Sequence, residues 1–191
     1  MKKILFIAGL AASLLSCNSA GDKKTGTQNE TKPAKDSAAP APDTADTKKI
    51  GFFTVEGDSL VAPAFDIVIE LSKKAKEKIE KGNESIVVDV FLDGTPGDMG
   101  TAKLEEDGSF FVGSAKKEIK PGEVAHFDNL KIARSIYDQL LDKDPNVTVN
   151  IYTGRKTFPD NLITGDFISD KLSKIVNRKF TSKQHLIYGD K

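Results

Sequence analysis

Phe65-Asp66-Ile67-Val68-Ile69-Glu70-Leu71 alternates along its length: Phe65, Ile67, Ile69 and Leu71 share one face of an extended chain, and Asp66 and Glu70 lie on the other. A strand with one apolar and one wet face needs a sheet covered on one side only, as in antiparallel folds. Val147-Thr148-Val149-Asn150-Ile151-Tyr152 repeats the pattern with Val147, Val149 and Ile151 on one face. Ile86 to Leu92 is apolar on both faces except at Asp89, which predicts a central strand. Lys103 to Val112 reads as a hairpin around Glu106-Asp107-Gly108-Ser109, with Asp-Gly suited to a type I′ turn.

Two helices interrupt the strands. Ser72 can cap a short one that turns Ala75 and Ile79 inward, exposes its lysines and stops at Gly82. A second pattern runs from Leu130 to Leu141, where Ile132, Ala133, Ile136, Tyr137, Leu140 and Leu141 recur at helical spacing. The expectation is a mainly β fold over residues 50–191: an antiparallel β-sandwich with one or two short helices, preceded by a disordered tether. In architecture it resembles the immunoglobulin-like or transthyretin-like sandwiches and carries a diagnostic motif of neither, and a fold-level likeness assigns no function.

The tether is predicted from composition. From Asn18 to Lys49 there is no Val, Ile, Leu, Met, Phe, Tyr or Trp, so the segment has nothing to bury. Ahead of it, Lys2 and Lys3 precede an apolar run from Ile4 to Leu15, the pattern of a secretory signal peptide and too short for a stable span, which takes about 20 apolar residues.

Leu14-Leu15-Ser16-Cys17 resembles the lipobox of bacterial lipoproteins. That resemblance implies removal of residues 1–16, acylation of Cys17, and a mature chain in which residues 17–49 tether the domain to a membrane of the cell envelope. Cys17 is the only cysteine, so it has no partner within the chain for a disulfide, and lipidation accounts for a lone exported thiol. Asn18 after the cysteine resembles the outer-membrane class of proteobacterial lipoproteins, on the periplasmic or the surface face. Asp36-Ser37-Ala38, Asp43-Thr44-Ala45 and Asp58-Ser59-Leu60 resemble the acceptor motif of the general protein O-glycosylation system of Bacteroidota, which marks Ser37, Thr44 and Ser59 as candidate glycosylation sites.

Charge excludes one class of partner. Removing Lys2 and Lys3 with the signal segment leaves 26 of the 28 basic residues against 28 acidic ones, so no basic surface for nucleic acid is expected. No phosphate loop, dinucleotide fingerprint, nucleophile elbow or helical zinc-protease motif occurs, and the sequence calls for no cofactor.

Three groups of residues remain as site candidates. His126 and His185 lie in strand-like contexts, where each reads either as an exposed strand residue or as a general base paired with a carboxylate from Asp93, Asp98 or Asp128. Asp93-Gly94-Thr95-Pro96-Gly97-Asp98-Met99-Gly100 offers two carboxylates in a loop, either a calcium site or an ordinary tight turn. Thr153 to Asn161 sets Arg155, Lys156 and Phe158 beyond a strand end, either as a ligand-binding loop or as a hairpin with Phe158 tucked in and the two cations solvated. The leading expectation is a non-enzymatic envelope protein binding a protein, glycan or small ligand. An envelope hydrolase and a structural or assembly factor are the alternatives.

Overall fold

In the computed structural model, residues 48–189 are described, and they lie in a unit spanning Thr44–Lys191. The signal segment, Cys17, Ser37, Thr44 and the tether as far as residue 47 lie outside the described residues, while Lys49, expected to end the tether, pairs opposite Thr54 as the first residue of a strand. The chain opens with β1 (Lys49–Ile50), β2 (Phe53–Glu56), β3 (Ser59–Val61) and β4 (Phe65–Leu71), followed by α1 (Lys73–Lys81) and β5 (Ile86–Gly94). Then come β6 (Phe110–Ile119), β7 (Val124–Phe127), β8 (Lys131–Ala133), α2 (Arg134–Tyr137) and β9 (Asn146–Thr153). It closes with β10 (Ile163–Gly165), β11 (Ile168–Lys171), α3 (Leu172–Ile175) and β12 (Lys179–Leu186).

The strands form three sheets, ordered β1-β2-β3-β8, β10-β12-β4-β7 and β11-β9-β5-β6. β6 passes beside β7 and β8, and β9 beside β10, so the sheets meet along seams and enclose one core. The alternation in the sequence decides what enters it. Phe65, Ile67 and Ile69 of β4 are buried, as are Val147, Val149 and Ile151 of β9, while Leu71 at the end of β4 is half-buried. Phe65 stacks on Phe127 at 5.1 Å between ring centroids, which ties β4 to β7. β5 is central, paired with β6 on one side and β9 on the other, as its two apolar faces predict.

α1 follows the sequence closely. The Ser72 hydroxyl accepts from the Ala75 backbone N–H at 3.2 Å, Ala75 and Ile79 are buried, and Gly82 ends the helix. Replacing Ser72 with alanine leaves that N–H without its cap, so thermal or urea unfolding of Ser72→Ala should show a loss of about 1 kcal/mol.

Four features depart from expectation. The sandwich is antiparallel except where β12 runs parallel to β4, from Lys179 opposite Asp66 to Gln184 opposite Leu71. Parallel neighbours need a long connection, and nearly the whole domain lies between these two strands. Among the described residues there are three helices rather than one or two, α2 and α3 having four residues each. The hairpin expected over Lys103–Val112 reduces to a local turn: Gly108 N–H donates to Glu105 C=O and Glu105 N–H to Ser109 C=O, both at 2.9 Å, while β6 pairs with β5 instead. Gly108 has a φ of +83° and Asp107 is not in the left-handed region, so the turn is not type I′. The helix expected over Leu130–Leu141 is split, because Ile132 is taken into β8 opposite Leu60 and only Arg134–Tyr137 turns helically. Tyr137 and Leu140 still reach the core, whereas Leu141 is exposed.

Candidate functional site

The outer face of the β11-β9-β5-β6 sheet carries the most distinctive surface among the described residues. Asp89, buried on that face, is paired with Lys116 Nζ at 2.8 Å and accepts from the Tyr152 hydroxyl at 3.2 Å. The hydrogen bond that the Lys116 ammonium donates to the Asp89 carboxylate raises the Lys116 pKa above its usual value. This pairing explains how one charged residue sits within an otherwise apolar central strand. Further along, Asp93 Oδ2 accepts from Asn146 Nδ2 at 3.1 Å.

Between these polar pairs, β5 and β6 change register at Leu92/Asp93. Leu92 lies opposite Gly113 but Asp93 lies opposite Phe111, so Val112 is the extra residue of a β-bulge. Without the bulge, strict alternation from Ala115 and Gly113 would turn Phe111 inward. With it, Phe110 and Val112 are buried, and Phe111 faces outward beside Phe91. The two rings are 45% and 40% exposed, and a diagonal pair of this kind is roughly 7–8 Å apart. Together with Glu105, Glu106, Asp107 and Ser109 they line an open cleft of about 610 Å³. Asp107 Oδ1 accepts from the Ser109 backbone N–H at 2.9 Å, which fixes the loop. The Ser109 hydroxyl and backbone N–H hold the Asp107 carboxyl below its usual pKa, so it is ionised at neutral pH.

The loop from Thr153 to Asn161 is organised from below by Glu84, which is only 4% exposed. Its carboxylate accepts from the backbone N–H of Ser85 (2.9 Å), Lys156 (3.1 Å), Thr157 (2.9 Å) and Phe158 (3.3 Å). Burial pushes the Glu84 pKa up, but the four donors outweigh it and hold the carboxyl below its usual value. Gly154 makes room for this: a Cβ there would come 2.1 Å from Ser85 Oγ. The concave run of N–H groups that suits an anion is thus filled by a carboxylate of the chain itself.

Arg155, Lys156 and Phe158 do not converge. Lys156 Nζ pairs with Glu118 at 2.6 Å, Phe158 lies against Gly82 with Lys78 Nζ 5.6 Å from its ring centroid, and Arg155 is exposed with a φ of +58°. Phe158 and Thr157 line a shallow cleft with Lys74, Lys78 and Lys81 of α1, which leaves out both Arg155 and Lys156.

The histidines are separated as well. His126 Nδ1 lies 2.7 Å from Asp66 Oδ1 and its Nε2 is 3.9 Å from Asp128. His185 lies six positions beyond Lys179, the β12 partner of Asp66, which places it about 20 Å along the sheet. Asp66 was invisible as a partner in the sequence, because its pairing with His126 depends on the β4–β7 register. No hydroxyl or thiol among the described residues is hydrogen-bonded to the His126 ring.

In the Asp93–Gly100 loop the two carboxylates face different partners. Asp93 holds Asn146, while Asp98 accepts from Gly100 N–H and the Thr101 hydroxyl, both at 2.9 Å. No cluster of three or more His, Cys, Asp or Glu able to hold a metal occurs among the described residues. Ser59 begins β3, opposite Glu56 on one side and Ala133 on the other.

The cleft between Phe91 and Phe111 escaped the sequence reading, because an apolar run on both faces of β5 implies burial of both. The signal available was Gly113 within Phe110-Phe111-Val112-Gly113, since a glycine inside a strand pattern often marks a bulge. The chain matches no family model, no curated protein and no solved structure.

Proposed function

We propose that this chain is a lipid-anchored lipoprotein of the cell envelope whose sandwich domain is a non-catalytic binding module, with the Phe91–Phe111 cleft as its binding surface. The observation that carries this reading is the pair of exposed phenylalanines set side by side by a β-bulge on a rigid sheet. Single exposed apolar residues are ordinary, but paired aromatic rings in a cleft are what recognition surfaces use. A bulge that re-aims a side chain is a feature of functional sites. The anchor rests on the lipobox at Leu14-Leu15-Ser16-Cys17 and on the tether after it, with glycans on Ser37 and Thr44 as a further proposal for that segment. No helix of the described residues is long and apolar enough to cross a membrane.

The test is retention of an envelope component, protein or glycan, on the immobilised mature chain. We expect a Phe91→Ser, Phe111→Ser double variant to fold as wild type and to retain at least tenfold less, a difference of about 1.4 kcal/mol. Equal retention by both chains would remove the cleft from the function.

A second reading, an envelope hydrolase, has the His126–Asp66 contact in its favour, since a carboxylate at Nδ1 orients an imidazole for base catalysis. It lacks a nucleophile at the other ring nitrogen, and the His126 side chain is 56% exposed at a sheet edge. The binding reading is therefore the one adopted.

A further inference from the structure

We infer that the Phe91–Phe111 cleft receives a cationic polypeptide segment, its arginine or lysine stems lying across the two rings and its charged heads meeting Glu105, Glu106 and Asp107. This rests on the binding reading above and adds the chemistry of the partner.

The argument starts from charge pairing. Some carboxylates are matched within the chain, as Glu56 is by Lys131, Glu118 by Lys156, Asp142 by Lys171 and Asp170 by Lys174, and others stand singly; Glu105-Glu106-Asp107 is the one run of three successive acidic residues among the described residues. Glu105, Glu106 and Asp107 have no ion-pair partner among the described residues, and the Asp107 carboxylate accepts from the Ser109 N–H. Three adjacent negative charges therefore stand uncompensated in a chain that is neutral overall, and they line the same cleft as the exposed rings.

Aromatic faces attract cations, and long basic side chains carry an apolar stem suited to lie on a ring while the head stays with a carboxylate. Arginine adds a planar guanidinium that stacks on the ring and forks onto a carboxylate. A phosphate-bearing or acidic glycan meets repulsion at the same rim, and a neutral sugar gains nothing from three uncompensated charges. A cleft of about 610 Å³ has room for more than one side chain, which favours a segment over an isolated small cation.

The experiment measures binding of a fluorescent, end-blocked peptide of alternating arginine and alanine to the mature chain by anisotropy, at low and high salt. We expect saturable binding that weakens with salt, that falls about tenfold in the Glu105→Gln, Glu106→Gln, Asp107→Asn variant and similarly in the Phe91→Ser, Phe111→Ser variant, and that is absent for the peptide with glutamate in place of arginine. Asparagine at 107 keeps the acceptor for Ser109 N–H, and all five positions lie on the surface, so matching melting curves establish that the variants are folded. Equal peptide binding by wild type and either variant overturns the inference, as does displacement of the peptide by stoichiometric spermidine, or binding of a neutral chitooligosaccharide with none of the peptide. Should the arginine peptide fail to bind while an envelope component is still retained through Phe91 and Phe111, the cationic partner falls and the binding surface stands. Loss of both removes both.

Discussion

Replacing Glu84 with alanine should cost the domain about 3 kcal/mol, near a 10 °C fall in melting temperature for a domain of this size. The Glu84 carboxylate is the common acceptor for four backbone N–H groups, three of them consecutive at Lys156, Thr157 and Phe158. Hydrogen bonds to a charged acceptor contribute about 1.5–3 kcal/mol each, but the exposed side of the loop relaxes toward water, so the sum is not additive. Glu84→Gln should fall between, since an amide offers one acceptor oxygen and presents an NH₂ to N–H donors. The pH dependence follows from the same bonds. With the folded pKa held below the ordinary 4.5, the unfolded chain binds a proton first on acidification. The stabilisation by Glu84 is therefore fully present above about pH 4.5 and is lost as pH falls through the folded value. Urea unfolding of wild type and Glu84→Ala should show the gap between them narrowing as pH falls below about 4.5. A gap that stays constant would mean the carboxylate charge is not what holds the loop.

That loop shows what a sequence reading reaches and where it stops. The strand before it, β9, was legible because one buried face imposes a period of two on Val147, Val149 and Ile151. Likewise α1 was legible, because Ser72 and Gly82 act on backbone groups within a turn of themselves. Local chemistry of that kind is written in adjacent residues. Glu84 lies more than seventy positions from the Lys156, Thr157 and Phe158 N–H groups it binds, and Asp66 sixty from His126, so neither pairing leaves a mark in local sequence. The same limit split the expected helix at Leu130–Leu141. Ile132 has the spacing of a helix, yet opposite Leu60 it gains more as a strand residue in the core. The parallel pairing of β12 with β4 is the extreme case, joining the start of the domain to its end.

The Phe91–Phe111 cleft combines both situations. Each phenylalanine is visible in the sequence, but the bulge that brings them to one face depends on where β6 meets β5. The hairpin expected over Lys103–Val112 assigned those residues to a different partner, and with it Phe111 to the wrong neighbour. A one-residue slip in a ladder exchanges the two faces of a strand, so register decides which side chains share this cleft as much as residue identity does.

Cys17→Ala should abolish membrane association entirely, the largest effect expected of any single substitution in this chain. In our proposal the diacylglycerol on the Cys17 thiol and the acyl group on its freed amine are the whole attachment. Each buried CH₂ contributes about 0.8 kcal/mol, so two or more chains hold a protein durably where one holds it only marginally. The domain itself offers little to replace them. Of its exposed apolar residues, Met99, Leu141 and Phe167 lie on separate loops, and the aromatic cleft of Phe91 and Phe111 is rimmed by carboxylates that an anionic bilayer repels. Nor does the mature chain have the excess of positive charge that would bind it electrostatically, with 26 basic residues against 28 acidic ones once Lys2 and Lys3 are removed. Labelling cells with an alkyne fatty acid, then separating membrane from soluble fractions, reads both steps at once. The wild-type chain should carry label and sediment with membranes. The variant should carry none and run at the mass of the unprocessed precursor, because the lipoprotein signal peptidase acts only after the thiol is acylated; the apolar run Ile4–Leu15 that it then retains is too short for a stable span, so an alkaline carbonate wash should release the variant, and not the wild type, to the soluble fraction. A variant that still takes up label, or that stays with membranes through the wash without it, would place the attachment elsewhere than Cys17.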